Sequence, residues 1–79
     1  MTPVEALRKA IKIIGGQTAT ARAISRKTGV LIRQQHVWNW LNRDGGVPPE
    51  YAPILEEVTR EMGVALTREQ LCPQFYNPQ

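Results

Sequence analysis

The stretch Gln34-Gln35-His36-Val37-Trp38-Asn39-Trp40-Leu41-Asn42 gathers four carboxamides, with Arg33 just before it and Arg43 just after. A carboxamide donates and accepts through one planar group, so Gln and Asn can match the N7/N6 edge of adenine in a DNA major groove. Arginines at the two ends suit phosphate contacts, which fix position without reading sequence. An ordinary solvated face is the alternative. Such a face usually carries Glu and Lys, and neither occurs between Gln34 and Asn42, which favours base readout. Trp38 falls on the outer side near Gln34 and Gln35. Two placements stand for it: stacking on a sugar or a thymine methyl, or partial burial against the fourth helix.

Catalysis finds little support. His36 is the one histidine, and no carboxylate or serine lies at a spacing that would pair base with nucleophile. A partly exposed polar or phosphate-contacting role suits it better. Cys72 sits beside a proline and reads as an idle, buried thiol. Gly15-Gly16 lacks the lysine of a phosphate-binding loop. No cofactor and no metal site is expected.

Positioning the 33–42 segment is the work of the elements around it. Thr2-Pro3-Val4-Glu5 opens a first helix over about 3–14, with Thr2 as cap and Glu5 reaching back to it. Val4, Leu7, Ile11 and Ile14 lay one apolar stripe along it, and Gly15-Gly16 ends it. A second helix runs from Gln17 to about Lys27, with Ala21, Ile24 and Thr28 on one face. Gly29 stops that stretch, 28–31 forms the returning loop, and Ile32 plugs the core. The third helix covers 33–42, with Val37, Trp40 and Leu41 inward. After Asp44-Gly45-Gly46 a fourth helix enters through Val47-Pro48-Pro49. It buries Tyr51, Ile54 or Leu55, Val58 and Met62, solvates Glu56, Glu57, Arg60 and Glu61, and closes at Gly63. Thr67 to Gln70 reads as a second capping box opening a single turn. No internal repeat is expected.

The order Gln17-Thr18, Ala21, Ile24, an apolar turn residue, Gln34-Gln35, Val37 and Trp40 resembles a phage-type helix-turn-helix. The wider run of Gly15 to Ala19, Gln34 to Leu41 and Gly45-Gly46-Val47-Pro48 is similar to the YdaS family, Cro-like prophage regulators often described as antitoxin-type. The resemblance implies an all-α domain of four helices plus a short C-terminal turn that binds operator DNA through 33–42. It places Gln34, Gln35 and Asn39 at base-reading positions, and Gln17 and Thr18 near phosphates beside Arg33, His36 and Arg43. One departure stands out: Ser25 to Ile32 fills a space where the usual motif has only a glycine and an apolar residue.

At 79 residues the chain has room for one small domain, expected over 1–73 with a tail at 74–79. No apolar run approaches the roughly 20 residues of a membrane span, no signal-peptide core opens the chain, and a cytoplasmic location follows as the default. A lone cysteine excludes a disulfide-stapled fold. Charge is divided: residues 1–47 carry eight Arg or Lys against Glu5 and Asp44, whereas 48–79 carry Arg60 and Arg68 against five Glu. A basic front and acidic back orient a small domain toward a polyanion. The expected function is therefore a transcriptional regulator on double-stranded operator DNA, with a homodimer possible on its half-sites. The rival is an antitoxin that binds a partner toxin through the acidic C-terminal third, with Phe75-Tyr76 as anchor.

Overall fold

A computed structural model of the chain describes residues 1–76. Among these it is all helical: α1 (Pro3–Ile14), α2 (Gln17–Thr28), α3 (Gln34–Leu41), a 3-10 turn (Pro49–Tyr51), α4 (Ala52–Glu61) and α5 (Arg68–Leu71). None of these helices is long and apolar enough to cross a membrane. Residues 77–79 of the expected tail lie outside the described residues.

The capping box at the start of α1 forms as expected. The Glu5 amide donates to Thr2 Oγ1 at 3.1 Å, and the Thr2 amide donates to Glu5 Oε1 at 2.8 Å. That amide bond, ahead of the hydroxyl one, holds the Glu5 carboxyl below its ordinary pKa. Helix α1 is the central post of the fold, touching α2, α3, α4 and α5. Its buried face is Ala6, Leu7, Ala10 and Ile11, while Val4 and Ile14 of the expected stripe are only half-buried. Two alanines at the contact let neighbouring helices approach closely. Ala21, Ile24, Ile32, Val37, Trp40, Val47, Ala52, Leu55, Leu66, Leu71 and Cys72 complete the core around that face.

The third helix is shorter than the expected 33–42, because Arg33 and Asn42 serve as its caps rather than its ends. Two expectations for α4 are corrected. Met62 is 54% exposed, since the helix stops at Glu61 and the stripe extrapolates past its last turn. Glu56 does not simply face water. It accepts from Arg68 Nε at 2.9 Å, from the Arg68 amide at 3.2 Å and from an Arg60 guanidinium nitrogen at 3.0 Å, and so ties α4 to α5.

A repeat, unexpected from the sequence, links α2–α3 with α4–α5. Ser25-Arg26-Lys27-Thr28-Gly29-Val30-Leu31-Ile32 matches Thr59-Arg60-Glu61-Met62-Gly63-Val64-Ala65-Leu66 in its hydroxyl, arginine, glycine, valine and final aliphatic positions. Both glycines take positive φ, 74° at Gly29 and 97° at Gly63, where a side chain would be strained. In each copy the hydroxyl donates to the carbonyl four residues back, Ser25 to Ala21 and Thr59 to Leu55, both at 2.8 Å. Each hydroxyl then accepts the amide seven residues ahead, Ile32 at 2.8 Å and Leu66 at 2.9 Å. Each loop is thus folded back onto the helix that precedes it, and the next helix starts from a fixed point.

Candidate nucleic-acid interface

Gly16 is the N-cap of α2 and Arg33 that of α3, and the extended backbone of Arg33 carries no side-chain cap acceptor. The Arg33 amide donates to His36 Nδ1 at 3.0 Å, so His36 is occupied on one ring nitrogen and keeps the other for solvent or a ligand. Ile32, held by Ser25, is the buried residue immediately before this start. Ser25 is the positioning group that the sequence reading missed. Its signal was the hydroxyl–glycine–aliphatic spacing shared with Thr59.

The inward side chains of α3 are Val37 and Trp40, buried against the core, with the Trp40 ring tilted against Tyr51 at 5.5 Å between centroids. Gln34, Gln35, His36, Trp38, Asn39 and Asn42 are all exposed. Trp38 is 47% exposed, which leaves both of its expected placements standing, partial burial against α4 and stacking on a sugar or a thymine methyl. Three hydrogen bonds order this face. Gln34 Nε2 donates to Gln17 Oε1 across from α2, Gln35 Nε2 donates to Asn39 Oδ1 at 3.3 Å, and Asn42 Nδ2 donates to the Trp38 carbonyl at 2.8 Å. Each bond uses part of an amide and leaves the rest. Gln34 retains its oxygen and one N–H, and Gln17 retains its whole NH2 group.

The structure therefore brings Gln17 beside Gln34, Gln35 beside Asn39, and Arg33 beside His36. Thr18 lies exposed in the first turn of α2 and makes no side-chain hydrogen bond among the described residues. Arg43 stands past the far end of α3, a helix about 12 Å long by the rise of its eight residues. Neither Arg33 nor Arg43 has a carboxylate within salt-bridge reach among the described residues.

Lys27 differs from these two. Its ammonium meets Glu61 at 2.7 Å and Glu57 at 3.1 Å, and those bonds raise its pKa above the ordinary lysine value. The positive charge of the second half of α2 is thus partly spent on α4. The far end of the chain is also tied down. Tyr76 donates its hydroxyl to the Pro49 carbonyl at 3.0 Å, with Arg68 over its ring, and Gln74 donates to the Gly45 carbonyl at 3.2 Å. Of the expected Phe75-Tyr76 anchor, Phe75 is 64% exposed and packs its ring edge-to-face on Tyr76 at 4.8 Å between centroids.

No curated protein and no solved structure matches the chain. A family model described as bacterial toxin YdaS matches residues 7–79, naming as a toxin the family whose resemblance implied an antitoxin-type regulator. The match leaves out only residues 1–6, and the chain belongs to the YdaS family.

Proposed function

We propose that the chain is a helix-turn-helix protein that binds double-stranded DNA in a sequence-specific manner, with α3 in the major groove and the start of α2 on the phosphates. The observation that carries this reading is the exposed face of α3, ordered by amide–amide bonds and free of acidic side chains. Gln34 and Gln35 project from the first turn, where a recognition helix reaches base edges, with Asn39 one turn on. The Gln17 amide bonded to Gln34 presents its NH2 to a phosphate, so one contact locates the other. Arg33 and Arg43 neutralise phosphates at the two ends, and His36 supports them. Two copies on half-sites one DNA turn apart double the readout.

The test begins with a site selected from random DNA. Gln34→Ala and Gln35→Ala are each expected to cost about 1–3 kcal/mol on that site and almost nothing on random DNA. Variants that discriminate as well as the native protein would remove α3 from base reading.

The family's description as a toxin carries a second reading, in which the protein arrests growth of the cell that makes it. Induced expression with growth as the readout tests it. Arrest that survives Gln34→Ala combined with Gln35→Ala would assign the toxic effect to something other than DNA recognition. Co-purification with the neighbouring gene product tests the antitoxin alternative, in which the acidic C-terminal third grips a partner.

A further inference from the structure

The fold leaves nearly half of Trp38 in water. The residue is 47% exposed, whereas the other tryptophan, Trp40, is 6% exposed and packed on Tyr51. Leaving a large aromatic surface in water forgoes the burial that such a side chain can gain. Every other exposed side chain of α3 and its C-cap is polar: Gln34, Gln35, His36, Asn39 and Asn42. At about 100° per residue, position 38 falls in the arc between positions 34 and 35, one turn further along the helix. The indole therefore shares its face with the two glutamines. Its backbone is also pinned, because the Asn42 amide holds the Trp38 carbonyl at 2.8 Å.

In a major groove the apolar feature within reach of such a face is the C5-methyl group of thymine. We propose that Trp38 is a specificity-determining residue that packs its indole on a thymine methyl beside the bases contacted by Gln34 and Gln35; this rests on the DNA-binding reading of α3. An adenine read by a glutamine and a thymine read through its methyl together select A·T pairs. The two kinds of contact divide the labour: the amides reject bases that lack the adenine edge, and the indole rejects those that lack the methyl.

The experiment uses the full chain and a site selected from random DNA. Each thymine of the site is replaced in turn by deoxyuridine, which removes one methyl and leaves base pairing intact. The native protein is expected to bind about fourfold more weakly at one such position per half-site, the worth of one buried methyl group. Trp38→Ala is expected to bind the thymine and deoxyuridine sites equally while keeping native helicity, since the side chain it removes is outside the core. Indifference of the native protein to every replacement, or a full deoxyuridine penalty persisting in Trp38→Ala, overturns the inference and leaves the DNA-binding reading standing. Failure of the native protein to prefer any selected site over random DNA overturns both.

Discussion

Ser25 and Thr59 fold their loops back by the same hydroxyl geometry, yet the helices that follow are finished differently. At Thr67 the hydroxyl accepts the Gln70 amide at 3.1 Å, and the Arg68 amide donates to Glu56, so the first turn of α5 has few open donors. At Arg33 no side-chain oxygen is present, and the backbone N–H groups of Gln34 and Gln35 find no partner among the described residues. One side-chain bond recurs: Gln70 Oε1 accepts the Thr67 amide at 2.9 Å, as His36 Nδ1 accepts that of Arg33. One copy of the device spends its donors inside the protein and buries Leu71 and Cys72. The other leaves them pointing outward, on the face where ligand contacts are proposed. The difference teaches that a helix start left without a side-chain cap on an exposed surface is a feature to explain, because the same chain caps its other copy more completely.

The comparison breaks most visibly at the two hydroxyls. Thr59 and Leu66 are buried, so Thr59→Val strands the Leu66 amide and is expected to cost about 2 kcal/mol in urea unfolding. Ser25 is half-buried and water can replace it, so Ser25→Ala is expected to cost about 1 kcal/mol. Ser25→Ala should also weaken DNA binding by the folded protein, because Ile32 sets the start of α3, whereas Thr59→Val should not. Equal losses of affinity would show that the junctions are not divided between binding and support.

Grafting the closed cap onto the open helix gives the next largest effect. Arg33→Thr supplies the hydroxyl that α5 has, and is expected to raise stability by about 0.5–1 kcal/mol. The same change should weaken binding to every sequence and lower the slope of log affinity against log salt by about one. A native slope in this variant would take Arg33 off the phosphates.

Acid separates the junctions less strongly. The Arg68 guanidinium beside Glu56 holds that carboxyl below its ordinary value, and burial opposes the shift only in part. A lowered folded-state pKa contributes stability above the unfolded value of about 4.3, and that contribution fades as pH falls through the folded value. Glu56→Gln is therefore expected to melt earlier than the native protein at pH 7, with the gap closing below about pH 4. A gap that persists in acid would mean that packing, not ionisation, makes the tie. Smallest of all is His36→Gln, which copies Gln70. Its helicity and melting are expected to stay within about 0.5 kcal/mol of native, because the Arg33 amide keeps an acceptor.

Much of this frame is legible in the sequence, where local chemistry decides it. Thr2 and Glu5, Gly15, Gly29 and the Thr67–Gln70 box mark element ends because their bonds span three or four residues. Met62 misled because a periodic stripe carries no information about where the helix stops. Glu56 misled because its partner, Arg68, lies beyond a loop whose path the spacing does not reveal. The exposed amides of α3 are readable from composition and period. Their pairing with Gln17 is not, since it depends on how α2 crosses α3. The repeat escaped notice because few of its positions are identical, and its signature is a hydrogen-bond pattern.

Cys72 gives the molecule a property that none of its contacts advertises. It is the sole thiol, it has no exposed surface, and its carbonyl takes the amides of Phe75 and Tyr76. A thiol reagent in solution can reach the sulfur only when α5 leaves the core, so the rate of alkylation is a clock for that opening. With excess reagent the clock runs at the opening rate itself, and at low reagent it reports the fraction of time spent open. The chain thereby carries a built-in chronometer for the release of its last helix, readable by mass without any added probe.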